Sequence, residues 1–200
     1  MLDQSITVRY LIFSAAFWLL SSFSPSGTSR PTVDRREARE AFALLNDIRQ
    51  NPGAYQRKLH LSRGITVNHT PLKWNSTLAK VAEMRALDMA KRDYFDHTDP
   101  DGFGPNYHID RAGYSLNASW LKRKNANSFE SIGANHPSAV DGINAMIIGR
   151  NSPGYAHRKH LLGIGEWNAS LQDIGIGYVR AASGSTYKSY LCVIIAKHDW

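Results

Sequence analysis

Three separated segments carry side chains that could share chemistry. His97 lies in FDHTDPDG (95–102), Glu130 in FESIGAN (129–135), and His157 with His160 in YAHRKHLLG (155–163). Two neutral imidazoles plus a carboxylate, with a fourth position left to water, is the recurring form of a hydrolytic zinc site. The candidate ligands for a divalent metal, zinc or another, are therefore His97, Glu130 and one of the pair His157 and His160. Spacing alone does not bring the three segments together. His157 and His160 are three residues apart, so on a helix they share a face. Zinc pairs on one helix are more usually four apart. The expectation is that one enters the site while the other packs or caps a helix end.

Other chemistry is poorly supported. The chain has neither H-E-x-x-H nor G-x-S-x-G. His97-x-Asp99-x-Asp101-Gly102 has the opening spacing of a calcium loop, but Pro100 and His108 would fill its fourth and twelfth positions. It reads as a turn whose acids shape the backbone around His97. Cys192 is the single cysteine, so no intrachain disulfide exists, and its apolar segment predicts a buried, inert thiol. Lys122-Arg123-Lys124 is the one dense basic run, and it reads as a solvated loop rather than a nucleic-acid site. Asn-x-Ser/Thr sequons stand at Asn68, Asn75, Asn117 and Asn168.

These side chains need elements to position them. Ala38, Ala41, Phe42, Leu45 and Ile48 recur at helical spacing and predict a helix over 34–49, stopped by Asn51-Pro52-Gly53. A second helix is predicted over 76–92, capped by Asn75 or Ser76, with Arg85 interrupting its apolar stripe. Residues 94–107, rich in Asp, Pro and Gly, predict a loop carrying His97. A weaker helix is expected over 137–149, opened by Pro137, and a short one over 155–162. Residues 173–180 and 187–197 predict a β-hairpin joined by AASGST, its second strand apolar on both faces and so central. Residues 129–134 suit another short strand. Helices followed by a hairpin, without βαβ alternation, predict a layered α+β fold.

The whole chain sets outer bounds. Its 200 residues, 42% hydrophobic and 20% charged, describe a globular chain large enough to fold without disulfides. Residues 11–23 form a 13-residue apolar run after Arg9. A stable membrane span needs about 20 apolar residues. The run instead fits a signal peptide or N-terminal anchor over residues 1–30, which places residues 31–200 outside the cytoplasmic membrane, secreted or in the cell envelope. The net charge of +7 favours anionic surroundings without identifying them.

In order, LLNDIRQNPGAY (44–55), PLKWNSTLAKVAEMRALDMA (71–90), YFDHTDPDG (94–102), RAGY (111–114), ESIGAN (130–135), NSPGYAHRKHLL (151–162) and DIGIGYV (173–179) resemble the CAP, or SCP, superfamily. These are the cysteine-rich secretory, antigen 5 and pathogenesis-related 1 proteins. The lone cysteine agrees with the cysteine-poor bacterial branch. The resemblance implies a three-layer α-β-α sandwich with a small antiparallel sheet. It also implies a cleft lined by two histidines and two acids, often holding a divalent metal. His97 matches the first histidine by its F-x-H context, and Glu130 the first acid by its E-x-I context. His157 matches the second histidine, although Tyr155-Ala156 separate it from Gly154, and His160 falls where the bacterial pattern usually has Asn. The second acid belongs on the preceding helix, yet residues 144–152 contain no carboxylate and Asp141 is the nearest upstream.

The function implied is a secreted module binding a lipid, peptide or envelope component. The alternative is a metal-dependent hydrolase of peptide or cell-wall material, with Glu130 as ligand or general base. The missing second acid ranks binding first. A third reading, compatible with the first, seats the basic domain on anionic lipid or wall polymer.

Overall fold

A computed structural model describes residues 30–150 and 152–198. In chain order the elements are β1 (Thr32–Val33), α1 (Arg35–Gln50), α2 (Pro52–Tyr55), β2 (Lys73–Trp74), α3 (Ser76–Arg92) and α4 (Pro105–Arg111). They continue with β3 (Glu130–Ala134), α5 (Ala139–Ile148), α6 (Ala156–Leu162), α7 (Glu166–Ala169), β4 (Asp173–Arg180) and β5 (Ser189–Ala196). The sheet order is β1-β4-β5-β3, with β2 lying parallel on β4 and the other pairings antiparallel. The expected hairpin is present, and its second strand is central. All of β5 is buried, from Ser189 to Ala196.

Helix α3 forms one outer layer against β4 and β5, and α1, α5 and α6 pack together as the other. The Ile-Gly-Ile-Gly alternation of β4 explains the closeness of α3. A Cβ at Gly175 would stand 2.1 Å from Leu78 backbone, and one at Gly177 would stand 2.3 Å from Ala82 backbone. Only the absence of a side chain lets the helix axis come so near the strand. Ile174, Ile176 and Tyr178 fill the opposite face and are buried.

The caps follow side-chain chemistry. Asp34 accepts the Glu37 N–H and opens α1, and Asn75, rather than Ser76, accepts the Thr77 and Leu78 N–H groups to open α3. Two boundaries differ from expectation. The helix expected to open at Pro137 begins at Ala139, because the Ser138 side chain accepts the Asp141 N–H. The expected loop 94–107 ends early, because α4 starts at Pro105. Proline suits a first helical turn, where its missing N–H has no intrahelical partner. Gly104 precedes it where a Cβ would meet the Asn125 backbone at 2.5 Å. This Gly-Pro pair opens a helix rather than marking a turn. Among the described residues no helix is long and apolar enough to cross a membrane. The export segment read over residues 1–30 lies outside the described residues, apart from Arg30.

Candidate functional site

The site is built from β3, the loop after α3, and α6. Glu130 opens β3 opposite Ile194, on the edge of the sheet beside the central strand. Its side chain is wholly buried and faces Arg85 of α3, itself only 1% exposed. Arg85 Nε donates to Glu130 Oε2 at 3.1 Å. Its remaining N–H groups donate to the Tyr94 hydroxyl and to the carbonyls of Asp96 and His97. One guanidinium therefore joins α3, β3 and the loop that carries His97.

His97 completes the arrangement. Its Nδ1 lies 2.9 Å from Glu130 Oε1. An ionised carboxylate can only accept, so Nδ1 carries a proton in this contact. Cys192 Sγ donates to Glu130 Oε2 at 3.2 Å. Burial by itself would raise the Glu130 carboxyl, but the His97 hydrogen bond and the Arg85 charge outweigh it and hold the group below its usual range. Burial, with the Glu130 charge next, pushes the Cys192 thiol well up. It is the inert thiol expected.

A pocket of about 190 Å³ lies over these groups, lined by His97, Glu130, Ser131, His157, His160 and Asn168 among others. Both α6 histidines line it, but they differ in burial and engagement. His160 is buried, with Nδ1 2.8 Å from Ser131 Oγ and Nε2 3.5 Å from the Ile195 carbonyl. The carbonyl can only accept, so Nε2 carries the proton and Nδ1 accepts from Ser131. Both nitrogens are engaged, and burial pushes this imidazole down to about 4. His157 is half-buried, and burial followed by the nearby His97 lowers its pKa. The following Arg158 donates to the carbonyls of Ile147 and Ile148 and ties α6 to the end of α5.

His97, Glu130 and His157 thus come to one pocket, as anticipated. Glu130, however, stands behind His97 with both oxygens engaged. Among the described residues no three His, Cys, Asp or Glu side chains form a group able to hold a metal. The three side chains therefore do not make the three-ligand zinc arrangement. Asp141 accepts the Ser138 hydroxyl at the exposed start of α5 and does not line the pocket. Asp99 accepts the N–H groups of Asp101 and Phe103, and so makes the turn read for that loop.

Arg85 is the residue whose role the sequence hid. Its signal was present as a cation in the middle of an apolar helix face, which must be answered by a buried anion. The sequons serve the backbone as well: Asn75 and Asn117 cap helical turns, and Asn68 and Asn168 donate to the carbonyls of Ala169 and Ile164.

The profile of the cysteine-rich secretory protein family, CAP, matches residues 42–195. An outer surface protein of Borrelia burgdorferi superposes with a TM-score of 0.54 at 17% identity, over 83% of this chain and 98% of its own. An extracellular SCP-domain protein of Bacillus anthracis str. Ames gives 0.49 at 22% identity over 82% of this chain. The present chain spans 41% of that protein's length. No curated protein matches. These structural likenesses concern the fold, and the profile match runs from the middle of α1 through nearly all of β5 and takes in every segment of the pocket. On that match, the chain belongs to the CAP family of cysteine-rich secretory proteins.

Proposed function

We propose that the chain is an exported binding module whose cleft, centred on His97 and His157, receives a polar end group of a lipid, peptide or envelope component. The observation that carries this reading is the engagement of Glu130. Each carboxylate oxygen already accepts from Arg85, and His97 and Cys192 complete the set. A carboxylate so occupied has no free lone pair aimed at a water, and its lowered pKa makes it a weak base. The pocket is smaller than the roughly 300–1,000 Å³ that enclose a small molecule. It suits the end of a ligand that continues over the surface. Export is supported by the apolar run at 11–23 and by the likeness to an outer surface protein.

A divalent ion such as zinc would rest on the imidazoles of His97 and His157, with Glu130 orienting His97 from behind. Two protein ligands imply weak binding. Calorimetry with zinc tests the cleft: His97→Ala and His157→Ala should each weaken binding at least tenfold, while His160→Ala should change it less. Equal loss in His160→Ala would overturn the assignment of the α6 face. Purified protein with zinc should leave casein and peptidoglycan fragments intact, and cleavage that disappears in His97→Ala would reinstate the hydrolase. A fatty acid or sterol at 100 times its Kd should stabilise the fold by about 2.7 kcal/mol.

A further inference from the structure

A second pocket, of about 260 Å³, lies where the first turns of α1 and α3 approach each other beside Trp74 of β2. It shares no lining residue with the histidine cleft. Three cations face it, Arg35, Arg39 and Lys80, against one carboxylate, Glu83. That carboxylate already has a partner. Arg35 Nε and Nη2 each donate to Glu83 at 2.9 Å and tie α1 to α3. Arg39 and Lys80 are left with no carboxylate partner among the described residues.

Arg39 is nonetheless held in place. Its guanidinium lies 3.8 Å over the Trp74 ring. Phe42 braces that ring edge-on at 5.3 Å. A guanidinium stacked on an indole keeps its in-plane N–H fork open to an oxyanion and loses little freedom when it binds one. Ser76 adds a hydroxyl to the same wall. The N-termini of α1 and α3 reinforce the positive field, as does the net charge of +7.

We propose that this pocket binds a phosphate monoester, with Arg39 and Lys80 as its two charge partners and the Ser76 hydroxyl as a further donor. A dianion answers both unpaired cations, whereas a carboxylate would leave one of them unanswered. The volume admits a phosphate with a small polyol attached and lies below the range that encloses a larger molecule. The group could be offered by a soluble ester or by a lipid headgroup, and the two are distinguishable.

The test uses glycerol phosphate in calorimetry at fixed ionic strength, and vesicles of phosphatidylcholine with and without phosphatidic acid. Both key residues are exposed, so Arg39→Gln/Lys80→Gln should melt within a few degrees of wild type. This variant should bind phosphate at least tenfold more weakly. Lys122→Gln/Arg123→Gln, which removes the same charge elsewhere, should stay within twofold. Arg39→Lys, which keeps the charge and loses the fork, should fall between them. Binding of glycerol phosphate assigns a soluble ester. Binding to phosphatidic acid vesicles alone, lost in Arg39→Gln/Lys80→Gln, assigns a lipid headgroup. Either result sustains the proposal. Equal weakening in Lys122→Gln/Arg123→Gln, equal competition by acetate, or no phosphate-dependent binding in either format overturns it.

Discussion

Residues 96–108 carry two histidines, each held by a carboxylate at nearly equal distance, His97 by Glu130 of β3 at 2.9 Å and His108 by Asp99 at 2.8 Å. Their surroundings differ. Glu130 is answered by a buried guanidinium, and the side chain of His97 stays 37% exposed and lines the pocket. Asp99 is answered mainly by backbone N–H groups, and His108 is 18% exposed with its ring against Phe103 and Tyr107. The first pair presents an imidazole to the pocket, and the second holds a turn. A histidine hydrogen-bonded to a carboxylate is therefore not in itself a sign of function. What separates the pairs is whether the histidine lines a pocket, and whether the carboxylate's charge is balanced independently.

The comparison can be broken most forcefully at Glu130. Glu130→Gln keeps the shape but leaves Arg85 as an unanswered buried cation, and the expected loss is about 3–5 kcal/mol in urea unfolding. A loss under about 1 kcal/mol would mean that the buried pair does not organise the site.

His160, which has no carboxylate partner, gives the next largest effect. Its folded pKa is about 4, against roughly 6.5 in the unfolded chain. The unfolded chain therefore takes up the proton first. This contribution to stability is whole above about pH 6.5 and is lost as pH falls toward about 4, to a total of roughly 3 kcal/mol. His160→Asn should flatten the stability profile across that window. Below about pH 4 a further loss is expected in both proteins, because Glu130 and Asp99 are held below the usual carboxylate range.

Asp99→Asn should cost less, about 1–2 kcal/mol, since neutral side-chain oxygen can still accept from the backbone. A loss equal to that of Glu130→Gln would erase the distinction between the pairs. The smallest stability effects, below about 1 kcal/mol, are expected for His97→Ala and His108→Ala. Zinc calorimetry should nevertheless separate them, with binding weakened at least tenfold in His97→Ala and unchanged in His108→Ala.

Much of this architecture was legible from side-chain periodicity. The stripes of α1 and α3 and the two-sided apolar run of β5 are set by burial, which leaves a period in the residues themselves. The convergence of His97, Glu130 and His157 was legible only through order and spacing along the family pattern. The role of Glu130 was not. It depends on Arg85, 45 residues away, and on how closely α3 approaches β4. That approach is permitted by Gly175 and Gly177, whose alternation was visible while its purpose was not. The start of α4 was missed for a related reason. Gly104-Pro105 has the composition of a turn, and only the contact with Asn125 shows the glycine making room for the 125–126 backbone where the helix begins.

The central strand gives the molecule a clock. Cys192 is the only thiol in the chain, and β5 is hydrogen-bonded along both edges and buried throughout. A thiol reagent can reach it only when the strand comes free of its neighbours, an event at the most costly end of local opening. At high reagent concentration each chain would label once, at the rate at which its centre opens. One atom, with no engineered probe, would time the life of the folded state.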